Sequence, residues 1–134
     1  MSFKIINPAS LGKPVGYANG LLIPAAGRLL FVSGQVAWNR EQQIVSDDFV
    51  EQFDQALANF VTVVTEAGGA AADVVRLIIY VTDIDEYRAR TKEVGERYRA
   101  HMGKHFPAIV LVEVKGLLDG AAKVEIEGMA LLNE

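Results

Sequence analysis

Residues 48–82 read DFVEQFDQALANFVTVVTEAGGAAADVVRLIIYVT, and the change of period within this stretch decides the fold. From Asp48 to Ala67, the residues Phe49, Phe53, Ala56, Leu57, Phe60, Val64 and Ala67 recur at steps of three or four, so they share one helix face. Asp48 with Glu51 three residues on resembles a capping box, and Ser46 is a rival cap. Gly68-Gly69 ends the helix in the usual C-terminal manner. Val74 to Thr82 is then β-branched and aromatic, the composition of a strand.

Upstream, residues 1–16 are rich in Gly, Pro, Asn and Ser and suggest an ordered arm more than an element. Between Tyr17 and Val36 two extended runs flank Ala25-Ala26-Gly27-Arg28, where Gly27 supplies the positive φ of a tight turn, so a hairpin is predicted. Downstream, a second helix is predicted from about Asp85 to Met102, with Tyr87, Thr91, Val94, Tyr98 and Met102 as a narrow stripe. Glu86/Arg90, Lys92/Glu96 and Glu93/Arg97 are opposite-charge pairs at i,i+4 on its solvated side. Gly103 stops it and Pro107 forbids a restart. Two strands, Ala108–Val114 and Lys123–Leu132, close the chain through Gly116 and Asp119-Gly120.

The order β-β-α-β-α-β-β, with both helices on one face of a sheet, predicts a two-layer α+β domain. The last strands are apolar on alternate faces: Ile109 and Leu111 oppose Val110 and Val112, and Met129 and Leu131 oppose Ala130 and Leu132. A lone two-layer domain covers only one such face. The bare one is expected to be buried by other copies of the chain.

Composition narrows the function classes. A chain of 134 residues, 51% apolar and 22% charged, is predicted to be one domain spanning residues 1–134. Without cysteine it has no disulfide, thiolate metal site or cysteine nucleophile, which fits a reducing compartment. A net charge of −4 and no run of basic residues speak against nucleic acid as a partner. No stretch approaches a membrane span, and the start does not open a signal peptide, so a cytoplasmic location is expected.

Candidate chemistry is sparse. His101 and His105 have the i,i+4 spacing of a metal pair, but Gly103 lies between them and no HExxH motif is present, which favours surface or helix-end histidines. Ser33, in Val32-Ser33-Gly34-Gln35, reads equally as a strand-end polar residue and as a hydroxyl beside a glycine N–H offered to a ligand. Glu125 and Glu127 project from one strand face; one suits pairing with Lys123 and the other an acid or base, and their spacing does not choose. Trp38 is expected to pack at a hairpin end, and Gly68-Gly69 precedes no phosphate-binding helix.

Three segments, taken in order, resemble the Rid family of reactive intermediate or imine deaminases (the YjgF type, some members of which were called perchloric-acid-soluble endoribonucleases). They are Leu30-Phe31-Val32-Ser33-Gly34-Gln35, Phe106-Pro107-Ala108 leading into Val112-Glu113-Val114, and Val124-Glu125-Ile126-Glu127; Val81-Thr82-Asp83 matches too. The resemblance covers about Val15 to Leu132. It implies a chorismate-mutase-like α+β fold and a homotrimer, sheets facing inward, with ligand clefts between neighbouring subunits. It implies hydrolysis of small enamines and imines to 2-keto acids and ammonia, with no metal and no bound cofactor. Glu125 would then handle the water or the proton, and Ser33, Gly34 and Tyr17 would line the cleft.

Two positions depart from the family pattern. The arginine that grips a substrate carboxylate after Phe-Pro-Ala is here Ile109, and the tyrosine segment is Val15-Gly16-Tyr17, lacking its proline and about three residues too far from Ser33. An apolar isoleucine cannot supply the bidentate fork that matches a carboxylate. The resemblance therefore implies either a hydrolase with a shifted, larger or more apolar substrate, or a trimeric small-metabolite-binding protein without catalysis. A nuclease fits the charge least.

Overall fold

The computed structural model describes residues 3–24 and 26–134. Its strands are β1 (Lys4–Ile6), β2 (Gly20–Leu22), β3 (Arg28–Gln35), β4 (Val74–Val81), β5 (Ala108–Glu113) and β6 (Val124–Leu132). Its helices are α1 (Phe49–Glu66), α2 (Ile84–Ala89) and α3 (Thr91–Met102). The main sheet has the order β3-β6-β4-β5, with β6 antiparallel to both neighbours and β4 parallel to β5. A parallel pair needs a crossover, and α2 and α3 supply it.

Strand alternation divides the sheet into two unlike faces. On one, Val124, Ile126, Leu77, Ile79 and Val81 join Phe49, Phe53, Leu57 and Phe60 of α1 and Val94, Tyr98 and Met102 of α3 in a single core. Each fully buried aromatic or aliphatic side chain contributes roughly 1.5–3 kcal/mol. The other face carries Leu29, Phe31, Val110 and Val112, between 39% and 69% exposed. No helix among the described residues is long and apolar enough to cross a membrane.

The two-layer α+β expectation matches the structure; several local expectations do not. The predicted Tyr17–Val36 hairpin is absent: β2 pairs with β1, and β3 pairs with β6. Pro24 has no N–H to extend the β2 ladder, whereas β6 offers β3 a long partner. Ala25, at the predicted turn, lies outside the described residues. The arm predicted over residues 1–16 accordingly contains a strand, Lys4–Ile6, and a single 3-10 turn, Ala9–Leu11.

The predicted helix 85–102 is two helices, broken at Arg90 (φ −126°, ψ 26°). Arg90 turns out of the helix because its guanidinium bridges Asp48 at 2.9 Å and Glu93 at 2.6 Å. The expected i,i+4 pairs are replaced by links between elements: Arg97 reaches Asp54 (3.3 Å) and Glu86 reaches Lys123 (3.6 Å). At the start of α1, Asp48 is the cap, accepting from the Glu51 N–H at 3.0 Å. Ser46 supports it by accepting from the Asp48 N–H and donating to the Glu51 carboxylate. Gly68 (φ 95°) and Gly69 then return N–H groups to Thr65 and Val64, closing the helix.

Candidate functional site

β6 is held in place at its entry by a buried amide. Gln52 of α1 is fully buried, donates to the Ser46 and Ala121 carbonyls (2.8 and 3.0 Å) and accepts the Lys123 N–H at 2.7 Å. Lys123 is two residues before Glu125, so the register of the acidic strand is tied to the helix layer. Val124 and Ile126 point into the core, and Glu125 and Glu127 therefore stand on the open face.

The two glutamates have different neighbours. The Tyr80 hydroxyl donates to Glu127 at 2.8 Å, and this bond pushes the Tyr80 proton affinity above the ordinary phenol range. Glu125, directly across from Tyr80, accepts no hydrogen bond from the described residues. Neither pairs with Lys123, which is held by Glu86. Opposite them β3 bulges: Val32 faces Gly128 and Gln35 faces Ile126, so Ser33 and Gly34 together oppose Glu127. The bulge brings the Gly34 backbone against the Glu125 carboxyl. A Cβ at Gly34 would lie 2.8 Å from its Cδ and Oε1. Ser33 and Gly34 are both exposed.

Ile109 and Tyr17 lie elsewhere. Ile109 is in register with the buried Leu77, on the helix side of the sheet. The Ala18 N–H donates to the Pro107 carbonyl at 3.1 Å, which pins Tyr17 beside the start of β5. Tyr17, Arg76, Ala108 and Ile109 line one recess there. Ile109 also reaches a second cavity of about 350 Å³ beneath α3, with Phe53, Ile79, Val94, Phe106 and Leu111.

The predicted residues thus fall into two groups. Gly34 meets Glu125 on the open face with Ser33 next to it in the bulge, and Tyr17 and Ile109 line one recess at the β5 edge. Within one chain Glu125 and Ile109 are on opposite faces of the sheet. Sequence reasoning missed Arg99 and Gly95 of α3, which border the Ile109 cavity. Its one available signal was a glycine in the middle of a helix, where it costs about 1 kcal/mol against alanine.

The histidines do not converge. His101 meets Asp54 at 2.8 Å, and His105 donates to the Val74 carbonyl at 2.6 Å. Among the described residues no three His, Asp or Glu side chains gather as a metal site would require. Trp38 sits in the loop after β3, bridged to Ile44, with its carbonyl accepting from Asn59 at 3.1 Å.

A family model described as Endoribonuclease L-PSP matches residues 13–132. A RutC family protein of Pyrococcus abyssi is 31% identical over 132 residues, 97% of this chain and 98% of that protein. The 2-iminobutanoate/2-iminopropanoate deaminase of Escherichia coli is 31% identical over 127 residues, 92% of this chain and 91% of that one. The crystal structure of the Rid family protein YyfB from Yersinia pestis superposes with a TM-score of 0.86 at 32% identity, covering 98% of this chain and all of that one. By sequence model, relatives and fold alike, this chain belongs to the Rid (YjgF, Endoribonuclease L-PSP) family.

Proposed function

We propose that the chain is a Rid-type hydrolase of enamines or imines, working as a homotrimer, with a substrate shifted away from the smallest imino acids. The observation that carries this is the Glu125 carboxylate, free of hydrogen-bond partners among the described residues and set against the Gly34 backbone on the open sheet face. In the reaction, Glu125 takes a proton from water as the water oxygen bonds to the C=N carbon. That proton passes to nitrogen, giving a carbinolamine; its hydroxyl proton then also moves to nitrogen through Glu125, the C–N bond breaks, ammonia leaves and the carbonyl forms. Ser33 and Gly34 are exposed, with Gly34 against the carboxylate, and are suited to hold the polar end of the substrate. The Escherichia coli relative's name supports the reaction class. Ile109 in place of the family's arginine supports the shift in substrate.

The same isoleucine favours a second reading, a trimer that binds a small metabolite without turning it over. A panel of imines offered to wild type and Glu125→Gln separates the two. A hydrolase loses roughly two orders of magnitude or more in the variant, with the fold intact. Stabilisation by ligand without turnover in either protein selects the binder.

A further inference from the structure

The cavity beneath α3 has a largely apolar wall, with the hydroxyls of Tyr87, Thr91 and Tyr98 as its neutral polar groups. Its walls are Phe53, Ile79, Val94, Phe106, Ile109 and Leu111, and Arg99 is the one charged residue among those that line it. The Tyr98 hydroxyl, also at the cavity, is engaged in donating to the His105 carbonyl at 2.6 Å. Arg99 is exposed and has no carboxylate or carbonyl within bonding distance among the described residues, unlike Arg88, Arg90 and Arg97. Its guanidinium folds back over Gly95, one turn earlier on the same helix face. A Cβ at Gly95 would stand 3.0 Å from its Nη1. With no side chain at Gly95 the guanidinium lies along the cavity mouth, and a Cβ there would press its tip aside by a few tenths of an ångström.

We infer that Arg99 and the cavity beneath α3 form a binding site for a carboxylate bearing a bulky apolar body, of the 2-oxo or 2-imino acid class with an aromatic or branched side chain. An unpaired guanidinium presents the fork that a carboxylate matches bidentately. The adjoining apolar wall replaces water around the body of the ligand. About 350 Å³ is within the range of small-ligand sites. A two-carbon side chain leaves most of that volume unfilled, and each further buried methylene strengthens binding about fourfold. This deepens the proposed function and rests on its reading of Ile109 as the position of the family's carboxylate-binding arginine. Arg99 would grip from the helix the carboxylate that Ile109 cannot grip from the strand.

Isothermal titration with 3-phenylpropionate, its amide and pyruvate tests the site. Wild type should bind 3-phenylpropionate at least tenfold more tightly than pyruvate. Arg99→Gln should weaken the acid roughly ten- to a hundredfold and leave the amide unchanged. Gly95→Ala should raise the melting temperature, since alanine is the better helix former, yet weaken the acid by displacing the guanidinium. A merely structural glycine would not couple those opposite effects. Equal binding of the acid by wild type and Arg99→Gln overturns the site, as does pyruvate binding as tightly as the phenyl acid. Imine turnover lost in Glu125→Gln but untouched in Arg99→Gln overturns Arg99 while leaving the hydrolase standing. Arg99-dependent binding of the acid with no imine turnover supports the site and removes the hydrolase.

Discussion

Arg90 shows how one side chain can set the local course of the chain. Its guanidinium draws in Asp48 and Glu93, holding both carboxyls below the ordinary carboxylate range, chiefly through the hydrogen bonds to Arg90. It joins the cap of α1 to the junction of α2 and α3. Because these folded-state values are depressed, the stabilisation is fully present above about pH 4 and is lost as the pH falls through the lowered values. Asp48→Asn keeps a capping side chain and removes the charge. It should cost less than about 1 kcal/mol at pH 7, as expected of a partly exposed pair, and the difference from wild type should be smaller at about pH 2. Asp48→Ala loses the cap as well and should cost about 1 kcal/mol more. Urea denaturation at both pH values checks this; a penalty for Asp48→Asn that persists unchanged at low pH contradicts it.

At the scale of elements, the long periodic segments were legible in the sequence because each contains its own signal. The helix spacing of Phe49 through Val64, its Asp48 cap and its diglycine end all appear where the pattern places them. The β-branched run of β4 and the alternation of β6 do likewise. The short N-terminal strands were not legible, since three-residue strands carry no period and β2 chose a partner sixteen residues upstream, Lys4↔Leu22 being the far pair. The helix break was hidden for a related reason: the competitor for Arg90 lies at Asp48, distant in sequence. One glycine within β6 has a packing role that no pattern announces. A Cβ at Gly128 would lie 2.1 Å from the Arg76 carbonyl and 3.0 Å from Phe60 Cζ, so β4 and α1 close on it from two sides. Gly128→Ala should destabilise by about 1–3 kcal/mol, as overpacked cores do, with the thermal midpoint as readout. A midpoint equal to wild type would show that β4 and β6 leave room for a methyl group at this position.

For the whole molecule, the decisive feature is the two-sided sheet. The residues proposed for the site come one by one from the resemblance to the family, but their division between faces was not legible in the sequence, because it depends on register: Glu125 opposes Tyr80 and Ile109 lies beside Leu77. On the proposed function, a cleft that contains both groups would be completed by another copy of the chain. The exposed Leu29, Phe31, Val110 and Val112 on the open face supply an apolar surface for that contact. A closed cyclic assembly repeats the same contact around its axis and buries this face on every protomer. Sedimentation equilibrium at micromolar concentration decides this: a trimer gives about three times the 14.6 kDa protomer, and a clean monomer, leaving Glu125 and Ile109 on opposite faces with nothing to unite them, would rule the assembly out.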